Sequence, residues 1–133
     1  MNYSNIEQIC NECGITNYTV NPDGSVDVKG SVNLSHKNLN RLPLKFGKVS
    51  GNFYCYSNQL TKLEGCPTEV RGYFYCYSNK LTTLEGGPTE VSGGFVCSHN
   101  PLLKEMINNP KAFLKQINRD KLINELLEYW TNL

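Results

Sequence analysis

Six cysteines, two histidines and eight tyrosines are the side chains of this 133-residue chain that could carry chemistry. Cys55, Cys76 and Cys97 recur every 21 residues, while Cys10 and Cys13 form a C-x-x-C. Thiols at regular spacing could hold zinc or pair as disulfides. A structural zinc site takes four ligands, usually from two such pairs, and the remaining cysteine, Cys66, is alone. Cys10 and Cys13 therefore read as two positions on the buried stripe of a helix. The regular cysteines read as small core residues. Leu34 stands at their position one repeat earlier, and parallel rungs about 4.8 Å apart exceed the ~3.8 Å Cβ–Cβ distance of a relaxed disulfide. His36 and His99 share a repeat position three rungs apart, which separates them by roughly 14 Å, too far for a shared metal or an acid–base pair. No nucleophile–base–orienter set, phosphate-binding glycine loop or carboxylate pair emerges. The expectation is a protein without catalytic residues, metal or cofactor.

The tyrosines offer binding rather than bond-making, and a tandem repeat positions them. Asn52 to Gly72 is written almost again as Tyr73 to Gly93, 21 residues each. A tandem period near 20 residues indicates a solenoid, in which each unit buries against the next what it cannot bury alone. Ser31 to Gly51 is a more divergent copy in register, and Gly94 to Leu102 a partial fourth. Leu39, Leu60 and Leu81 align, as do Leu42, Leu63 and Leu84, then Val49, Val70 and Val91, and finally Gly51, Gly72 and Gly93. If Asn52–Tyr56 is a strand, Phe53 and Cys55 face the core, and Asn52, Tyr54 and Tyr56 face out. The next unit turns Phe74 and Cys76 in and Tyr73, Tyr75 and Tyr77 out. Tyr54 then sits over Tyr75 and Tyr56 over Tyr77, with Asn33, Ser35, Val96 and Ser98 as small shoulders. Asn58, Asn79 and Asn100 form a ladder at the strand exit, bonding backbone groups of adjacent turns.

The core of each unit, F-x-C-x-x-N-x-L as in Phe53 to Leu60, resembles the L-x-L-x-x-N/C-x-L segment of leucine-rich repeats. The tail, Leu63-Glu64-Gly65-Cys66-Pro67 with Val70, resembles the short Leu-Pro-rich repeats of bacterial effector-type members. The wording YCYSNQLTKLEG is similar to repeat proteins of tailed-phage genomes and gut bacteria. The resemblance spans roughly residues 30–103. It implies a parallel sheet with a concave binding face. One departure is that Val49, Val70 and Val91 lie nine residues before the ladder Asn position, where the common pattern has eight.

The flanks read differently. Ser4-Asn5-Ile6-Glu7 has the form of a capping box, opening a helix over residues 5–13 that Gly14 ends. Tyr18-Thr19-Val20, Asn21-Pro22-Asp23-Gly24 and Val26-Asp27-Val28 spell a hairpin. After Pro101 the period turns helical. Leu102, Leu103, Met106 and Ile107 suit a short helix, Asn109-Pro110 starts a second, and Asp120 caps a last one with Leu122, Ile123, Leu126, Leu127 and Trp130 on one stripe. The expected fold is thus a single-domain α+β solenoid, a short leucine-rich-repeat-like parallel stack. Residues 1–30 form an N-terminal helix and hairpin cap, 31–100 the repeats, and 101–133 a C-terminal helical cap.

A formal net charge of +1 supplies no global field toward nucleic acid or an anionic membrane. No stretch approaches the ~18 apolar residues of a membrane span, and the N-terminus lacks a secretory pattern. Reduced thiols in a cytoplasm are then expected, the host's if the chain is phage-encoded. The first repeat carries a basic edge, Lys37, Arg41, Lys45 and Lys48. Three functions follow as expectations. One is a protein-interaction module that binds through Tyr54, Tyr56, Tyr73, Tyr75, Tyr77 and Asn52, and the phage resemblance implies inhibition of a host or defence protein. Another is a nucleotide or small-ligand binder that uses stacked tyrosines and the basic edge. The third is a self-assembling structural protein, pairing through the C-terminal helix or a sheet edge.

Overall fold

The computed structural model describes residues 3–133. It is a small α+β protein whose short parallel strands stack as the coils of a β-solenoid, followed by a long helix. A helix α1 (Tyr3–Glu12) precedes strands β1 (Tyr18–Val20), β2 (Val26–Val28), β3 (Val32–Asn33), β4 (Phe46–Val49), β5 (Phe53–Tyr54), β6 (Glu69–Val70), β7 (Phe74–Tyr75), β8 (Glu90–Val91) and β9 (Phe95–Val96). Helices α2 (Lys104–Asn108) and α3 (Pro110–Thr131) complete the chain.

Each 21-residue turn contributes to two sheets, where the repeat pattern predicts one. A four-stranded sheet runs β3-β5-β7-β9, and a five-stranded sheet runs β1-β2-β4-β6-β8. Val49, Val70 and Val91 belong to the second sheet, with Val49 opposite Val70 and Val70 opposite Val91. This explains their displaced spacing from the ladder Asn position, because a corner separates the two strands. Glu69 and Glu90 therefore lie on neighbouring strands. The glycine column makes the corner. Gly51, Gly72 and Gly93 donate in turn to the carbonyls of Gly30, Gly51 and Gly72 at 2.9, 3.0 and 2.9 Å. A Cβ at Gly72 would stand 2.9 Å from the Gly51 carbonyl, so side chains are excluded where corners stack.

The core is the sum of the inward columns. Phe53 and Phe74 stack at 5.8 Å, and Phe46 and Phe95 extend the row at 5.0 and 4.9 Å. Leu60, Leu63, Leu81, Leu84, Cys55 and Cys76 are fully buried. Burying each large side chain stabilises by roughly 1.5–3 kcal/mol against an exposed one. The first sheet's labelled strands have only two residues, but its ladder continues as Phe53, Cys55 and Ser57 donate to the carbonyls of Tyr73, Tyr75 and Tyr77.

The asparagine ladder takes over where the strands end. Asn79 Nδ2 donates to the carbonyls of Cys55, Cys76 and Tyr77, and its Oδ1 accepts from the Leu60 N–H. Asn58 and Asn100 repeat the pattern one rung on either side. The residues before this column, Ser57, Ser78 and His99, sit near φ +55°, as does His36 in the first unit. That left-handed kink turns the chain out of the sheet, and the Asn side chains tie the bend to both neighbours.

At the N-terminal end, α1 starts at Tyr3, so Ser4 is already helical and is not its cap. The residue before the helix lies outside the described residues. The helix stops as expected: Gly14 has φ +72°, and the Gly14 and Ile15 N–H groups bond the carbonyls of Asn11 and Cys10, the Schellman arrangement. Ile6 and Cys10 are buried and Cys13 partly so. The β1–β2 hairpin does not sit apart from the stack, because β2 pairs in parallel with β4 and so continues the five-stranded sheet.

The C-terminal end departs most from expectation. Asp120 does not start a separate helix. It lies inside α3, where its carboxylate accepts from Gln116 Nε2 at 3.1 Å. No residue between Asn109 and Thr131 breaks the helix, and the Asn109-Pro110 start holds. Only the first half of α3 covers the solenoid, with Pro110 and Leu114 buried and Ile117 packed against the core. Gly87 makes room for this contact, since a Cβ there would approach Leu114 Cδ2 to 3.2 Å. Cys66 holds the same position one copy earlier, where α3 does not pack. Leu122, Ile123, Leu126, Leu127 and Trp130 are all exposed, so this stripe does not close the stack.

Candidate functional site, a tyrosine face on the four-stranded sheet

The outward alternation on β5 and β7 places all five expected tyrosines on one face. Register pairs Tyr54 with Tyr75, and their rings meet at 5.3 Å. Tyr56 and Tyr77 stack at 4.5 Å with planes 5° apart. Tyr73 stacks on Tyr75 at 5.6 Å, while Tyr54–Tyr56 and Tyr75–Tyr77 close the set at 5.9 and 6.0 Å. The rings thus form one continuous surface. Four are half-buried against each other, and Tyr73 at the rim is 48 % exposed. Aromatic contacts of this kind contribute about 0.5–1.5 kcal/mol each beyond area, so the surface is ordered before anything meets it.

Asn52 has a different part from the tyrosines. Its Oδ1 accepts from the Tyr73 N–H at 2.8 Å, and its own N–H donates to Ser31 Oγ at 2.9 Å. The side chain is spent on fixing the entry of the next strand. His36 is the residue missed in sequence, packing edge-on to Tyr56 at 5.5 Å. The signal was diagonal, because His36 follows the column of Tyr56 by one position in the adjacent rung, and only the left-handed turn swings it onto the ring.

The basic edge is not one site. Lys48 stands on β4 of the other sheet, pointing to solvent beside Phe46 and Val49 that point in. Lys45 pairs with Asp23 of the hairpin turn at 3.3 Å, both exposed. Lys37 and Arg41 follow β3 in the first unit and are exposed. The structure therefore separates Lys45 and Lys48 from the tyrosines.

The outer face of the five-stranded sheet is charged, with Asp27, Lys48, Glu69 and Glu90 on successive strands. Asp27 Oδ1 accepts from the Lys48 N–H and from Asn21 Nδ2. A cleft of about 300 Å³ opens there between Tyr18, Lys29, Lys48, Glu69 and Arg71. A second, about 230 Å³, lies between Val91, Phe95 and the α3 residues Lys111, Leu114 and Lys115. Neither is lined by a tyrosine of the four-stranded sheet.

Electrostatics separates the faces further. Burial, then the neighbouring Tyr56 and Tyr75 phenols, push the Tyr77 hydroxyl above the ordinary tyrosine value, so that phenol keeps its proton at physiological pH. In the hairpin, Asp23 is held down to about 2 by hydrogen bonds from the Ser25 hydroxyl and N–H and from Lys45. Burial raises the thiols of Cys66 and Cys76 and lifts Cys97 to about 11. Protonated and enclosed, these thiols behave as core. Among the described residues, no group of three or more His, Cys, Asp or Glu is arranged to hold a metal ion, and no helix is long and apolar enough to cross a membrane. Set beside known proteins, the chain matches no family model, no curated protein and no solved structure.

Proposed function

We propose that this protein is a non-catalytic, leucine-rich-repeat-like interaction module that binds a protein partner on its tyrosine face. The observation that carries the reading is the continuity of five tyrosine rings on one sheet face, with Tyr73 at its exposed rim. Tyrosine supplies large, rigid contact area with a polar tip at low entropic cost, and it is enriched where protein interfaces concentrate their energy. Stacking has already ordered these rings, so a partner meets a surface that loses little further freedom. The face is broad and neutral, which suits a protein surface better than a phosphate-bearing ligand. The nucleotide reading requires lysines beside the rings, whereas Lys48 stands on the other sheet and Lys45 pairs with Asp23 of the hairpin turn. The likeness of the repeats to those of tailed-phage proteins directs the search for a partner to bacterial host and defence proteins.

The test is affinity capture from bacterial lysate, read by mass spectrometry, with wild type beside Tyr54→Ala/Tyr75→Ala. The double variant keeps the Phe53–Phe74 core and should unfold cooperatively. The expected result is a protein enriched by wild type and lost from the variant. The same proteins recovered equally by both would sink the proposal.

A further inference from the structure

The distal half of α3 carries a feature that the tyrosine face does not explain. Leu122, Ile123, Leu126, Leu127, Trp130 and Leu133 are all exposed, Trp130 by 68 % and Leu133 by 76 %. Arg119, Leu122, Ile123, Leu126 and Trp130 follow one another at helical spacing and form one stripe, with Leu133 just past the end of α3. The body-facing side of the helix is set by Pro110, Leu114 and Ile117. Continued at the same period, that side carries Lys121, Asn124 and Glu128. The apolar stripe thus lies on the opposite side of the helix from the solenoid. Bending α3 back would bury polar residues and leave the stripe in water. None of the described residues covers it.

The geometry points to a second copy of this chain, paired helix to helix and antiparallel, with Leu126 at the two-fold axis. The stripe is self-complementary in that orientation alone. Its N-terminal end is basic, with Arg119 in the stripe and Lys115 one turn before it. Its other end is the C-terminus of a 22-residue helix, where unpaired carbonyls concentrate negative potential. Antiparallel pairing sets Leu122 against the partner's Trp130 and Arg119 against its last turn. Parallel pairing would set Arg119 against Arg119 and align the two dipoles unfavourably. A membrane surface fits less well, since the polar side of residues 120–133 holds Asp120, Glu125 and Glu128 against Lys121, and membrane-lying helices carry lysine and arginine there.

Sedimentation equilibrium across a concentration series tests the pairing. Wild type should be a dimer at micromolar concentration, and Leu126→Glu/Trp130→Glu should weaken association by roughly 30-fold or more, the hot-spot range. Both positions are exposed in the protomer, so a retained cooperative urea melt should report a folded variant. Orientation is read in a Cys13→Ser background, because the five other cysteines are buried. Arg119→Cys and Leu133→Cys proteins, mixed and oxidised, should give the crossed disulfide between the two variants. A wild-type monomer at 100-fold above micromolar, or disulfides only within each variant, would overturn the proposal, as would a monomer that binds anionic vesicles. Tyr54→Ala/Tyr75→Ala should still dimerise, which separates this surface from the tyrosine face.

Discussion

The two sheets are built by the same 21-residue turns over the same core, yet their outer faces are opposites. Both sheets turn one column of apolar side chains into the core, Phe53 and Phe74 on one, and Val70 and Val91 on the other. Outward, the four-stranded sheet stacks tyrosine on tyrosine at 4.5 to 5.3 Å. The five-stranded sheet sets Lys48 beside Glu69, and Glu69 beside Glu90. A parallel in-register stack multiplies whatever the repeat places outward. Aromatic neighbours gain from that multiplication, and like charges directly opposite lose by it. Near-identical copies that keep a costly glutamate pair on one side and a continuous aromatic surface on the other direct attention to the aromatic side.

Perturbations of three kinds separate what the faces share from what each owns. The largest effect belongs to the shared scaffold. Asn79→Ala strips a partner from the Leu60 N–H and from the Cys76 and Tyr77 carbonyls. Each buried group left unsatisfied costs about 1–3 kcal/mol. Urea melts should show a loss of about 3 kcal/mol or more, with tyrosine fluorescence and far-ultraviolet dichroism falling together. A small loss, or a face that melts alone, would mean that the ladder does not couple the sheets.

Between the faces the effects should differ in size and sign. Tyr56→Ala/Tyr77→Ala removes the closest ring stack and should destabilise by about 2 kcal/mol. Glu90→Lys replaces a like-charge neighbour of Glu69 by an opposite one. It should stabilise by a few tenths of a kcal/mol, screened by salt. Comparable losses from both would erase the distinction.

The smallest effect is in pH, and the hairpin turn and the tyrosine face should respond at opposite ends of the scale. Asp23 has a folded pKa of about 2, below its ordinary value. Its contribution is therefore present above the ordinary carboxylate range and lost as pH falls from about 4 toward 2. Tyr77 is raised, so the folded state holds that proton more tightly. Its contribution is present below about pH 10 and lost as pH climbs through the raised value. Asp23→Asn should flatten the stability slope between pH 2 and 5 and leave the alkaline limb alone. Tyr77→Phe should do the reverse.

Much of this was legible in the residues. The inward columns, the asparagine ladder, the hairpin, the Gly14 stop and the tyrosine registers follow from period and alternation, and they stand as read. The second sheet was hidden because Glu69-Val70 is too short to show a strand's period. Its existence rests on hydrogen bonds between turns. The basic edge read as one patch because Lys37 through Lys48 are close in sequence, whereas a solenoid turn carries residues ten apart to different sides. The C-terminal stripe read as a lid because apolar helical spacing usually means core.

What the sequence by itself determined is therefore the turn length, the inside and outside of the strands of the four-stranded sheet, and the stacking of like on like. Those follow from local alternation copied at a constant interval. Tertiary structure alone decided where the chain turns a corner, which sheet each charge joins, and that α3 shows one side to the core and the opposite, apolar side to solvent. These depend on hydrogen bonds and contacts between residues roughly twenty or more apart, such as Gly72 on Gly51 or Leu114 over Gly87. No local pattern carries that information.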